Sequence, residues 1–245
     1  IIALNVWVQE HIERSPSTSS PNEDAEDADG YNTPLKTSTS DSNVGDSIAK
    51  LKADKQEFQE GIALFNKKAK KGLEYLQNIG RLGKTHEEIA EFLRNTPGLD
   101  KTIIGDYLGE RDEPMLKVMH AYVDAMDFAS LTLDDAIRKF LEGFRLPGES
   151  QKIDRLMEKF AERYHKHNPT VYKSADTAYV LAFSVIMLNT DAHNPQVKNK
   201  MTKEGFIRNN RGIDDGQDLP KETLEELYDR IVNNEIKLKE TAEAA

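Results

Sequence analysis

The chain has 245 residues, 38 % of them hydrophobic, and 43 acidic against 33 basic side chains give a net charge of -10. That length suits one ordinary domain plus unfolded sequence, and the negative balance argues against bulk binding to nucleic acid or anionic lipid through a basic face. Cysteine is absent, which excludes disulfides and thiolate metal sites and fits a reducing compartment.

Ile1 to Val8 is apolar, but it lacks the basic start and small-residue cleavage site of a secretory leader, so it reads as the cut end of a longer protein. No run of about 18 apolar residues follows, so no membrane span is expected. Residues 15–46 are rich in Ser, Pro and acid, carry few apolar residues and have no periodicity. Such a segment buries too little surface to offset its ordering entropy and is expected to be disordered. Residues 1–46 hold 9 acids and 2 bases, a net -7, which leaves -3 for the rest. Ser15-Pro16, Ser20-Pro21 and Thr33-Pro34 are candidate phosphorylation steps in what otherwise reads as a plain linker. The expected divisions are residues 1–46 as upstream end and linker, 47–240 as the folded domain, and 241–245 as a disordered end.

From Ser47 the spacing turns helical. Ile48, Leu51, Phe58, Ile62 and Phe65 fit one helix face. A second helix over Gly72–Leu76 stops at Gly80. Thr85-His86-Glu87-Glu88 has the hydroxyl-then-acid spacing of a capping box, ahead of Ile89, Phe92 and Leu93. Asn95-Thr96-Pro97-Gly98 ends that helix. Further helices are expected over 101–109, 113–126, 133–143, 150–167, 174–191, 202–209 and 221–236, with starts at Thr132 and Ser174. β-branched runs bounded by hairpin turns are absent. The expectation is an all-α right-handed stack or bundle of about ten helices.

Two segments carry chemistry. In Phe144-Arg145-Leu146-Pro147-Gly148-Glu149, Pro147 cannot continue a helix and Gly148 permits backbone angles that other residues avoid, so the loop is short and stiff. Glu149 falls where the next helix begins. On composition it serves either as a negative charge at the positive end of that helix or as a group held out for function. The stretch Ala178–Leu188 is apolar all round apart from Ser184 and the Tyr179 hydroxyl. Such a helix is normally buried; alternatively, one face floors an exposed groove, with Phe183, Ile186 and Met187 meeting a partner.

Three enzymatic or metal readings are set aside. A glycosidase-like carboxylate pair of Glu149 with Asp154 or Glu158 lacks any sign of a polar cleft. His165 and His167 diverge on a helix, so a metal site with Asp191 and His193 is not expected. Asp214-Asp215-Gly216-Gln217-Asp218 has its glycine too early for a calcium loop and lacks the closing Glu.

Phe144–Glu149, followed by Gln151-Lys152-Ile153-Asp154-Arg155, resembles the first signature motif of Sec7 domains. Ile186-Met187-Leu188-Asn189-Thr190-Asp191-Ala192-His193-Asn194-Pro195 resembles the second, some thirty residues on. The resemblance runs over residues 50–238. It includes Phe65-Asn66, Gly105–Gly109, Asn209–Ile213 and Asp218-Leu219-Pro220, in a form closer to the large Golgi Sec7/BIG type than to the cytohesin type.

The resemblance implies an elongated helical stack with an apolar groove and a guanine-nucleotide exchange factor for Arf-family GTPases. It would make no bond and need no cofactor or metal. Glu149 matches the family's glutamic finger. Phe183, Ile186, Met187, Asn194 and Asp154 match partner-binding positions, and Arg145, Pro147 and Gly148 support the loop. The implied partner is an Arf, GDP-bound and then nucleotide-free. Membrane contact would be indirect, through Arf or flanking domains, on the cytoplasmic side of Golgi or trans-Golgi membranes. Brefeldin-sensitive members tend to carry Tyr-Ser, then Asp and Met, at the positions of Phe183, Ser184, Asp191 and Met201. Phe183 departs from that pattern, so weakened sensitivity to brefeldin A bound to the Arf-GDP complex is expected. A helical Arf-binding scaffold without exchange activity is the alternative.

Overall fold

The computed structural model describes residues 42–238, with side chains from residue 50 onward; the expectations for residues 1–41 and 239–245 lie outside them. Among the described residues there are ten α-helices and no strand. They are α1 Ser42–Lys67, α2 Ala69–Asn78, α3 His86–Asn95, α4 Lys101–Leu108, α5 Glu113–Asp124, α6 Leu133–Phe140, α7 Ser150–His167, α8 Ala175–His193, α9 Lys203–Asn209 and α10 Lys221–Asn233.

Local chemistry sets the helix boundaries. Thr85 caps α3 through Glu88 N–H, and the Glu88 carboxylate accepts from Thr85 N–H in return, closing the expected box. Ser174 Oγ accepts from Thr177 N–H and starts α8. Thr132 makes no such cap; its hydroxyl donates to the Asp135 carboxylate instead. α2 ends where Gly80 takes φ +70, Gly80 N–H donates to Gln77 O and Arg81 N–H to Leu76 O, a Schellman arrangement that needs a left-handed residue. α1 starts at Ser42, ahead of the first apolar-periodic residue. Phe65 and Ile62 are buried and Phe58 packs on the core, but Leu51, expected on the same face, is 67 % exposed.

α1–α5 form one half of the stack, with α1 on α2, α3 on α5, and α4 touching α2 and α5. α6–α10 form the other, gathered around α8, which packs against α6, α7 and α10. α7 joins the halves by contacting α5 as well. Aromatic rings run through the centre: Tyr122–Phe144 at 5.9 Å, Phe144–Phe140 at 4.9 Å, Phe140–Phe160 at 4.9 Å and Phe160–Phe128 at 5.3 Å. Each such pair adds about 0.5–1.5 kcal/mol beyond its buried area. Phe144 is thus both a core residue and the first residue of the loop that carries Glu149.

The Glu149 loop and the α8 face

The loop is anchored at its root. Phe144 is fully buried, and Leu146 and Pro147 are buried behind it. Arg145 N–H donates to Lys101 O at the start of α4 (3.0 Å). Its guanidinium donates back to Leu141 O and Phe144 O (3.2 and 3.3 Å), tying the loop to the end of α6. α4 approaches closely because residue 105 is glycine; a Cβ there would lie 1.7 Å from Arg145 O. α4 is in turn positioned by Asn66, which accepts from Asp100 N–H and donates to Gly98 O, both at 2.8 Å. Gly148 does not use its conformational freedom: its φ is not positive and the space around it is open. The stiffness comes from the buried ring, the proline and the Arg145 bonds.

Glu149 is the N-cap residue of α7, yet its side chain makes no cap hydrogen bond. It projects outward with 71 % of its side chain exposed, and its Oε1 lies 3.3 Å from Lys152 Nζ. Lys152 is only 11 % exposed and also pairs with Glu110 Oε1 at 3.1 Å. Burial alone would lower the Lys152 ammonium pKa, but the two carboxylates outweigh it and hold the pKa above the usual lysine value. Burial raises the carboxyl pKa of nearby Asp106, against the lowering effect of Lys152, with Glu149 and Glu110 adding to the rise. The exposed acid therefore stands in a negative neighbourhood with one nearly buried cation beneath it.

α8 resolves its two readings unequally. Three neighbouring helices bury most of its surface, and Phe183 (2 % exposed) and Ile186 (1 %) lie inside. A partly exposed strip remains, including Tyr179, Val180, Ser184, Met187 and Asp191. Asp154 on α7 is half-buried and accepts a hydrogen bond from the Tyr179 hydroxyl, so in this conformation it is already engaged within the chain. Tyr179 packs edge-on to Phe183, 5.0 Å between centroids. Asn194 caps the end of α8; its Oδ1 accepts from Gln196 N–H (2.9 Å) and its carbonyl from Lys200 Nζ (2.6 Å). Asp191 Oδ2 accepts from Met201 N–H at 2.6 Å, and Phe183 and Ser184 lie about two turns back on the same helix.

Two of the histidines in the discarded metal reading engage backbone groups within the chain. His193 Nε2 is 2.8 Å from Ile231 O, and His167 Nδ1 accepts from Phe128 N–H. Asp214 accepts from Lys173 N–H and Thr177 Oγ1, tying that loop to the start of α8, and Asp218 accepts from Gly212 N–H within it. No three His, Cys, Asp or Glu side chains converge among the described residues. Sequence reasoning assigned no role to Lys152, although its i,i+3 spacing from Glu149 is a pairing signal. Glu110 and Asp106 had no such signal, because only the fold brings α4 to the start of α7.

The braced acidic loop thus opens α7, the helix packed against the largely buried apolar α8. Residues 54–236 match the Sec7 domain family, and the chain belongs to it. It is 61 % identical over 228 residues to Brefeldin A-inhibited guanine nucleotide-exchange protein 2 of Arabidopsis thaliana, covering 92 % of this chain and 12 % of that one. It is 56 % identical over 195 residues to the human protein 1 of the same name, covering 79 % of this chain and 10 % of that one. The chain thus spans about a tenth of the length of these curated relatives. Among solved structures, the Sec7p catalytic domain superposes with a TM-score of 0.70 at 53 % identity, covering 73 % of this chain and 95 % of that one. A Sec7 domain bound to ARF1-GDP and brefeldin A gives 0.71 at 40 % identity, covering 77 % and 96 %. No described helix is long and apolar enough to cross a membrane.

Proposed function

We propose that this domain is a guanine-nucleotide exchange factor for Arf-family GTPases and that Glu149 drives GDP release. The observation that carries the reading is Glu149 itself: a carboxylate most of whose surface is open, spent on no helix cap, on a loop braced from below. Nucleotide affinity in a GTPase rests on backbone donors, a lysine and Mg2+ gathered around the phosphates. A carboxylate pushed among them competes for the lysine and metal and repels the β-phosphate. At an effective dielectric of about 20, two unit charges ~4 Å apart interact by roughly 4 kcal/mol, on the order of a thousandfold in affinity. No bond is made or broken. The named activities of the relatives and the ARF1-GDP partner of the solved Sec7 domain support the reading.

Forcing an anion toward a phosphate requires binding energy from elsewhere. Met187, Asp154 and Asn194 are reachable from solvent and would meet the GTPase first. Phe183 and Ile186 would meet it only after α8 and its neighbours part, because both are buried in this conformation. The domain would act at Golgi membranes from the cytoplasmic side, recruited by Arf or by domains outside this chain.

Release of fluorescent GDP from a truncated Arf tests this. Wild type should accelerate release and Glu149→Lys should abolish the acceleration while leaving the fold intact. Acceleration that survives the substitution refutes the charge mechanism. Binding without acceleration by wild type favours the scaffold.

A further inference from the structure

We infer that Lys152 is a latch on Glu149 and that Glu110 is the standby counter-ion that lets the latch release. The inference rests on the reading of Glu149 as the exchange residue. Lys152 Nζ sits between Glu110 Oε1 at 3.1 Å and Glu149 Oε1 at 3.3 Å. Its stem lies against the backbone of residue 109, a glycine where a Cβ would be 2.7 Å from Lys152 Cβ. Arg155 fixes the same turn by donating to Gly109 O. The ammonium is therefore held in place and nearly out of water, whereas Glu149 is free on one side.

A nearly buried cation needs a carboxylate at all times. When Glu149 swings toward a nucleotide it leaves Lys152, and the ion is not stranded because Glu110 remains, with Asp106 close by. The two carboxylates thus compete for one ammonium, and the strength of the Glu110 contact sets how readily Glu149 departs. The Glu149 arm of the pair is exposed, so it holds weakly enough to break and strongly enough to bias the resting position. Lys152 is a positioning residue: it acts through Glu149 and not on the nucleotide.

The test is a set of exchange assays on the whole chain with truncated Arf, resolved into kcat and KM at two salt concentrations. Glu110→Gln should leave Lys152 gripping Glu149 harder and lower kcat about three- to fivefold at low salt, with KM unchanged. Raising salt should recover most of that loss, because the Glu149 pair faces solvent. Lys152→Gln should raise kcat by a similar factor, and in its background Glu110→Gln should have no further effect. Thermal melts of each variant confirm folding. A Glu110→Gln loss that persists in the Lys152→Gln background, or a Lys152→Gln variant that folds and is slower, overturns the latch. Glu149→Lys, run alongside, separates the two ideas. If it retains exchange, the reading of Glu149 fails. If it abolishes exchange while Lys152 and Glu110 variants behave as wild type, only the latch fails.

Discussion

The Tyr179 hydroxyl donates to the Asp154 carboxylate across the α7–α8 interface, so the helix that follows the acidic loop and the apolar helix beside it are joined by a polar contact within the proposed partner surface. Burial, reinforced by Asp154, pushes the Tyr179 phenol well above its ordinary pKa, which keeps the proton on the donor throughout the neutral range. Tyr179→Phe is expected to cost about 1–2 kcal/mol, because the half-buried carboxylate loses a charge-assisted bond. Urea denaturation of both single variants and the Tyr179→Phe/Asp154→Ala double variant checks it. Strictly additive losses would show that the contact contributes nothing.

Gly105 sets how closely α4 approaches the loop. A methyl group at that position would meet the Arg145 carbonyl head-on, and backbone has no rotamer with which to give way. Gly105→Ala should destabilise the domain by about 1–3 kcal/mol. Displacing the root of the Glu149 loop should also slow exchange about ten- to a hundredfold. Kinetics at a temperature where the variant is fully folded separate the two effects.

Asp134 on α6 is buried (1 % exposed) and is gripped by Arg230 of α10, whose Nε donates to both carboxylate oxygens at 3.0 and 3.1 Å. Removing the arginine strands the carboxylate. Arg230→Ala should cost about 2–3 kcal/mol, less than for a fully buried pair because the guanidinium is partly exposed. A matched Asp134→Leu/Arg230→Met variant should recover most of it in urea titrations.

The Thr85–Glu88 box gives a pH signature. The hydrogen bonds from Thr85 N–H and Oγ1 hold the Glu88 carboxyl below its ordinary pKa of 4.5. A depressed acid stabilises the fold above its unfolded value, and that stabilisation disappears as pH falls through the folded one. The contribution is therefore complete at neutral pH and lost below the ordinary carboxylate range. Glu88→Gln should lower Tm near neutrality and leave it unchanged at low pH. A gap between variant and wild type that persists in acid would contradict this.

By the Sec7 resemblance, Phe183 would fall where brefeldin-sensitive members tend to carry tyrosine, with Ser184, Asp191 and Met201 matching the pattern. Brefeldin A should inhibit exchange only in part, and Phe183→Tyr should strengthen the inhibition. Wild type inhibited to the level of the variant would sink the prediction.

Helix positions were legible in the sequence because capping and apolar spacing are local. The Thr85 box, the Gly80 stop and the start at Ser174 all appear where side-chain chemistry puts them. Three ends were overrun by two or three residues: α5 stops at Asp124, α6 at Phe140 and α10 at Asn233. Near a helix end, periodicity continues after the hydrogen-bond ladder has frayed. The apolar character of Ala178–Leu188 was plain, but which of its faces met other helices was not. That depends on α6, α7 and α10, which lie up to dozens of residues away.

By itself the sequence determined an all-helical Sec7 chain with an acid on a proline-stiffened loop, since motif, breaker and cap are written in neighbouring residues. Only the tertiary structure decided what Glu149 rests on. It showed that the helix cap does not use the carboxylate, that Phe183 and Ile186 are covered, and that Lys152 is shared with Glu110 from 42 residues earlier in the chain. Contacts between distant segments follow from how helices pack around one core, and no local pattern records that.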